Sequence, residues 1–202
     1  DVCEAAVAFF QTKLKERTEV QEYLHTRGVK DETVTEWRLG YAPAEWESLS
    51  RHLAAAGFKK DHIVEAGFAL KSEKKPGEIF DRFRGRIMFP IFDLGGKPIA
   101  VSGRFFEKVP GAKGDDEPAK YVNSPETALF KKSRVLYGLD RARANIRRLD
   151  CVLLVEGQFD LILAHQSGLP FAVALTGTAL TDDHLSILGK LYKRLVLALD
   201  AD

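Results

Sequence analysis

Residues 151–160 read CVLLVEGQFD, and residues 195–202 read LVLALDAD. In each stretch a short run of Val and Leu empties into acidic residues: Glu156 and Asp160 in the first, Asp200 and Asp202 in the second. An apolar run of this length without polar alternation marks a strand buried on both faces. A third run, 171–175 (FAVAL), lies between them, and helical patterns fill 159–166 and 181–191. This β-α-β-α-β succession predicts a parallel sheet, because right-handed crossovers bring every strand's carboxyl end to one edge, where open α/β sheets bind ligands. Glu156, the Thr176-Gly177-Thr178 turn, Asp200 and Asp202 are therefore expected to converge.

Asp200 and Asp202 are two apart and point the same way along an extended chain, so they can share or bridge cations. Glu156 and Asp160 flank a strand-to-helix turn at Gly157, whose lack of a side chain opens conformations and room for a phosphate or a metal. Four clustered carboxylates repel one another unless a cation joins them. All the donors are oxygen, which suits Mg²⁺. In the competing structural reading, Asp160 caps a helix while Asp200 and Asp202 begin a turn.

Working outward, 86–92 (RIMFPIF), 98–101 and 105–109 read as strands, with Asp93, Gly95 and Gly96 forming a hairpin turn. Pro90 predicts an edge strand or a bulge. Residues 110–118 (PGAKGDDEP) read as a surface loop. The first seventy residues read as helices: 5–20, then 31–37 before Gly40, 44–56 ended by Gly57, and a short one from Asp61 ended by Gly67. The expected fold class is an α+β amino-terminal subdomain, helices plus a small mixed or antiparallel sheet, followed by an α/β subdomain with a parallel sheet. The expected boundaries are 1–148, with a helical entry over 1–70 and a basic strand-rich part over 71–148, and then 149–202.

With 202 residues, 45% hydrophobic and 29% charged, the chain is globular and long enough for one domain or two small ones. No apolar run approaches the roughly 20 residues that cross a bilayer, and no signal-peptide pattern opens the chain, so a cytoplasmic location is the default and no membrane partner is expected. Cys3 and Cys151 stand apart without CxxC spacing, which suggests neither a disulfide framework nor a zinc site. The net charge of +1 conceals segregation: residues 71–148 carry 18 Lys and Arg against 10 Asp and Glu, whereas residues 149–202 carry 3 against 7. Lysine and arginine suit phosphates and carboxylates suit divalent cations, so a polyanion beside a metal site is expected. His25, His52, His62, His165 and His184 lack ligand spacing and read as surface or half-buried helix residues; Trp37 and Trp46 read as helix packing.

The pair EGxxD (Glu156 to Asp160) and DxD (Asp200 to Asp202) resembles the Toprim signature of topoisomerases, bacterial primases, recombination mediators and some nucleases. The upstream segments narrow the choice: DRFRGRIMFPI from Asp81, Ser102-Gly103-Arg104, KYVNSPET from Lys120, Phe130-Lys131-Lys132 and Leu136-Tyr137-Gly138-Leu139. In this order they resemble the catalytic core of bacterial DnaG-type DNA primases, as do YLHTRGV from Tyr23 and LGYAP from Leu39. The resemblance spans nearly the whole chain.

The resemblance implies template-directed synthesis of short RNA primers from NTPs on single-stranded DNA, by Mg²⁺-dependent nucleotidyl transfer in which Mn²⁺ substitutes. Glu156, Asp200 and Asp202 would hold the metal, with Asp160 supporting them as part of the catalytic acidic set. Arg27, Arg82, Arg84, Arg104, Lys120, Tyr121, Asn123 and Lys132 would bind nucleotide and template, with Arg86 in the same segment; an arginine of that segment could instead pair with Asp81 or Glu78. Tyr121 and Phe105 are candidates for base stacking and equally for core packing. Zinc, and docking to a replicative helicase, would belong to domains absent from this chain. The parallel sheet is expected to be incomplete at its carboxyl end, and the chain alone to make little or no primer. Another Toprim enzyme, nuclease or topoisomerase, and a noncatalytic single-stranded nucleic-acid-binding module remain alternatives. The chain has no GxSxG, HExxH or Walker A lysine loop to suggest other chemistry.

Overall fold

The computed structural model describes residues 1–111, 118–175, 177 and 179–199. The entry is helical: α1 (Val2–Lys15), α2 (Thr18–Thr26) and α3 (Asp31–Glu36). The single helix expected over 5–20 is two, because Arg17 turns extended (φ −124°) and Gln21 donates its amide to the Leu14 and Lys15 carbonyls that end α1. The freed Arg17 side chain reaches Glu107 at 3.2 Å.

Next come β1 (Gly40–Ala42), α4 (Ser48–Ala55), α5 (Lys60–Glu65) and the two-stranded hairpin of β2 (Ala69–Lys71) with β3 (Ile79–Asp81). The expected helix over 44–56 begins only at Ser48, since its cap is distant in sequence. The buried Asp81 carboxylate accepts from the amides of Leu49 (2.7 Å) and Ser50 (2.8 Å). Arg84 donates to the Asp81 backbone carbonyl and acts on the carboxylate through its charge.

The main hairpin, β4 (Arg86–Phe92) and β5 (Pro98–Phe105), sits inside a four-stranded antiparallel sheet ordered β1-β4-β5-β6, where β6 is Tyr121–Asn123. The Asp93 carboxylate organises its turn, accepting from Gly95 (2.8 Å) and Lys97 (2.9 Å). Pro90 lies in a central strand, contrary to the edge alternative, whereas the bulge alternative has a counterpart in the register shift of the β4–β5 pairing at Ile91 and Phe92. Pairing with β1 has already ended at Met88, so on that side the missing amide hydrogen disturbs no ladder. The strand expected over 105–109 is only the last residue of β5.

After a 3-10 turn (Lys132–Arg134) and α6 (Leu139–Leu149), the chain enters β7 (Cys151–Val155), α7 (Gln158–Gln166), β8 (Ala172–Ala174), α8 (Asp182–Leu188) and β9 (Arg194–Ala198). The three strands form a parallel sheet with β7 in the centre, as the alternating pattern predicts. The first half is thus α+β with an antiparallel sheet, and the second α/β with a parallel one.

One core serves both halves. Leu24, Trp37, Tyr41 and Phe89 from the first share a continuous cluster with Val155, Phe159, Ile162 and Ala174 from the second. Gln166, at the end of α7, donates to the Gly28 carbonyl (2.8 Å) and accepts from the Lys30 amide (2.9 Å) and the Thr33 hydroxyl (2.7 Å). Of the histidines, His184 departs from expectation: it is fully buried, its Nε2 3.0 Å from the Lys132 carbonyl. Trp46 departs too, lying 42% exposed outside any helix.

His165 carries a testable pH dependence. Its ring stands edge-on to Trp37 at 5.0 Å, its Nε2 lies 2.9 Å from the Ala172 carbonyl, and burial holds its pKa below the ordinary value of 6.5. The unfolded chain takes up a proton near pH 6.5 that the folded ring resists, so this contribution to stability is present above that pH and is lost as pH falls toward the folded value. The urea midpoint should drop between pH 7.5 and 5.5, and His165→Gln should flatten that part of the slope.

Candidate active site at the carboxyl edge of the parallel sheet

Glu156 leaves the end of β7 exposed, and α7 begins two residues later. Asp160 reaches back to accept from the Gly157 amide at 3.1 Å, so the capping role foreseen for it is realised through one carboxylate oxygen. Gly157 itself has an ordinary extended conformation (φ −107°). What requires glycine is space, since a Cβ there would lie 2.6 Å from Asp160 Oδ2.

A cavity of about 300 Å³ opens at this edge. Glu156 and Asp160 line it from the sheet side, and Arg27, Arg104 and Lys120 from three other segments. Gly177, from the loop after β8, completes the wall with a left-handed backbone (φ +73°) that favours glycine. Gln158 fastens the acidic half to the basic half. Its amide donates 2.8 Å to the buried Ser102 hydroxyl on β5, two residues from Arg104. The Arg104 guanidinium lies 5.6 Å from the ring centre of Tyr121 and 5.8 Å from that of Tyr23. Burial works against its charge, but the Tyr121 hydroxyl, 3.3 Å away, and the neighbouring Tyr23 outweigh it and raise its pKa. Burial likewise pushes the Tyr121 phenol up.

Other expected residues lie elsewhere. Asn123 is next to the cavity, its Nδ2 3.6 Å from where a Cβ on Gly177 would stand. Lys132 is not among the described residues that line the cavity, and its carbonyl meets His184 of α8. Arg82, Arg84 and Arg86 do not line the cavity. The Arg84 guanidinium stacks 4.4 Å from Trp46 and 5.4 Å from Phe80 and donates to the Asp81 carbonyl. Arg86 is buried, donating to the Gly103 and Ala119 carbonyls at 3.0 Å each, and its guanidinium lies 5.9 Å from the Phe105 ring. Arg82 is half-buried, and burial lowers its pKa. A roomier cleft of about 580 Å³ beside Trp46 includes Lys71 and Glu78, which are already paired with Asp61 and Lys75. Asp200, Asp202, Thr176 and Thr178 lie outside the described residues. Among the described residues no group of three His, Cys, Asp or Glu could hold a metal ion.

The family described as DNA primase catalytic core, N-terminal domain, matches residues 9–143, and the Toprim domain family matches residues 150–202. The chain belongs to the DNA primase catalytic core family. The DNA primase of Deinococcus radiodurans is 42% identical over 182 residues, covering 90% of this chain and 30% of its own length. The RNA polymerase domain of Mycobacterium tuberculosis primase DnaG, in complex with a double-stranded DNA oligomer with a 6-nucleotide overhang, superposes with a TM-score of 0.89 at 31% identity, covering all of this chain and 63% of the other. A DnaG primase catalytic domain bound to ssDNA gives a TM-score of 0.83 at 32% identity, covering 100% and 62%. This chain thus spans about 30% of the length of its curated primase relatives. These likenesses favour primases over the other Toprim enzymes. No helix among the described residues is long and apolar enough to cross a membrane.

Sequence reasoning passed over three residues at the site: Tyr23, Gln158 and Phe159. Two of them are the unspecified positions of EGxxD. Their signal was available, since the first turn of a helix entering a shared core must bury something.

Proposed function

We propose that this chain is the polymerising core of a DNA primase, which makes short RNA primers from NTPs on a single-stranded DNA template by metal-dependent nucleotidyl transfer. One observation carries this reading: two carboxylates and three cations from distant segments face one cavity of about 300 Å³. Separate acidic and basic halves suit a substrate whose phosphates need cations while its reacting oxygens need a metal.

The oxygen-only donor set of Glu156 and Asp160, with no His or Cys among the described lining residues, fits a hard divalent cation. Mg²⁺, or Mn²⁺ in its place, would be held by Glu156 with Asp200 and Asp202, and when bound it activates the attacking 3′-hydroxyl and stabilises the leaving pyrophosphate. Arg27, Arg104 and Lys120 neutralise the triphosphate, and the Tyr121 hydroxyl, 3.3 Å from Arg104, orients its guanidinium toward it. Glu156 and Asp160 repel phosphates that enter from the wrong side, which orients the nucleotide. No side-chain nucleophile is required. A cytoplasmic place in replication, and helicase docking and zinc-assisted template recognition by parts beyond this chain, accompany the same reading.

The test is binding by the chain itself. It should bind an NTP in the presence of Mn²⁺ and, separately, a single-stranded DNA oligomer with an affinity that falls steeply with salt. Lys120→Ala should weaken NTP binding about tenfold, the worth of one charge-assisted hydrogen bond. Unchanged affinity for both ligands in Lys120→Ala and Arg27→Ala would remove the cavity from consideration.

A further inference from the structure

Two arginines and two carboxylates share this cavity, and such groups ordinarily collapse into ion pairs. Neither Arg27 nor Arg104 forms an ion pair among the described residues. What both touch is one aromatic ring. The guanidinium carbons of Arg27 and Arg104 each lie 5.2 Å from the ring centre of Phe159. Phe159 is only 3% exposed and is held by Phe89, edge-on at 5.2 Å, so its ring is fixed rather than adaptable. It also sits between Gln158, tied to Ser102, and Asp160, tied to Gly157, in the first turn of α7.

We infer that Phe159 is a positioning residue: a shelf that holds both guanidiniums toward the cavity and away from the carboxylates, so that the arginines keep their charge and donors for phosphate. A ring face attracts a cation without consuming any of its N–H donors, and each guanidinium has five. A carboxylate in the same place would fill two of them and cancel the charge. The shelf matters most before substrate arrives, because Tyr121 and Tyr23 hold Arg104 alone and Phe159 is the ring that the two like charges share. This inference rests on the reading of the cavity as a nucleotide site.

The test separates the shelf from that reading and from simple packing. Inorganic triphosphate, without divalent cation, probes the basic half by calorimetry; Mn²⁺ alone probes the acidic half by electron paramagnetic resonance; a urea melt reports folding. Phe159→Leu and Phe159→Met keep apolar bulk without a π face, so either one that folds suffices, whereas Phe159→Tyr keeps the face. Loss of the face should weaken triphosphate binding about tenfold, the upper range for a desolvated cation–π contact. It should weaken Mn²⁺ binding in parallel, as released arginines pair with carboxylates, and Phe159→Tyr should restore both. A packing role alone would follow the urea midpoint and would not sort variants by the π face. Native-like triphosphate and Mn²⁺ affinity in a folded Leu or Met variant overturns the shelf and leaves the nucleotide site standing. Failure of the native chain to bind triphosphate overturns both.

Discussion

Glu156→Gln should abolish the metal-dependent part of nucleotide binding while leaving the fold intact. Glu156 is exposed at the end of β7, so the substitution removes a charge without opening a cavity. A unit charge pair at 4 Å and an effective dielectric of 20 is worth about 4 kcal/mol, so loss of this ligand should weaken Mn²⁺ binding roughly a thousandfold. The sign of a second measurement is diagnostic. In the absence of metal, triphosphate should bind Glu156→Gln as well as or better than the native chain, because its phosphates then meet one repelling carboxylate fewer beside Arg27, Arg104 and Lys120. Calorimetry with and without Mn²⁺ reads both effects. Retention of Mn²⁺-dependent NTP binding would place the cation away from the β7 edge. In a longer primase polypeptide carrying this chain, the same change should eliminate primer synthesis.

The largest effect on stability is expected from Trp37→Ala. Trp37 is 1% exposed and belongs to the helical entry, yet its aromatic and cationic neighbours come from distant parts of the sequence. Tyr137 lies at 5.4 Å and His165 at 5.0 Å, and the Arg141 guanidinium lies 4.7 Å from its ring. Gly138 is part of the same fit: a Cβ there would stand 3.1 Å from the indole and 2.7 Å from Leu161. Truncation leaves a cavity that these rigid neighbours cannot close, at a cost of about 3–5 kcal/mol. A fall in the urea midpoint of less than about 1 M would show that the two halves do not depend on this contact, given a typical slope of 1–3 kcal/mol per M. Near-ultraviolet dichroism should also change, since Tyr137 loses its partner.

How far the sequence could be read depended on whether the cause of each element was local. The parallel sheet was legible because buried parallel strands are unbroken apolar runs, and 151–155 and 195–199 fell within a residue of β7 and β9. The strand 86–92 was legible for the same reason. β1, β2, β3 and β6 were not, being three residues each, too short for any alternation and defined by partners elsewhere. The start of α4 was misplaced because its cap, Asp81, comes from another part of the chain. At the site, spacing and strand direction led to Glu156 and Asp160. Arg27, Arg104, Lys120 and Tyr121 came from family likeness, since nothing in spacing joins residues from α2's end, β5 and β6. Arg84 shows the limit of that likeness in this fold: its guanidinium faces Trp46 and Phe80 rather than the cavity. Gly157 was expected to supply both an unusual conformation and room; its conformation is ordinary, and the tight space is beside Asp160.

The shared core has a consequence for inheritance. Toprim units occur in otherwise unrelated enzymes, which invites the picture of a part that recombination can move freely. Here Phe159, Ile162 and Ala174 pack in one cluster with Trp37, Tyr41 and Phe89, and Gln158 and Gln166 are bonded to β5 and to the α2–α3 connection. A transplanted unit would arrive without the surface that fills its core and without the hydroxyl that anchors its acidic helix. The two regions matched by different families are therefore one body built on a shared core, and their facing surfaces can drift only as a matched pair.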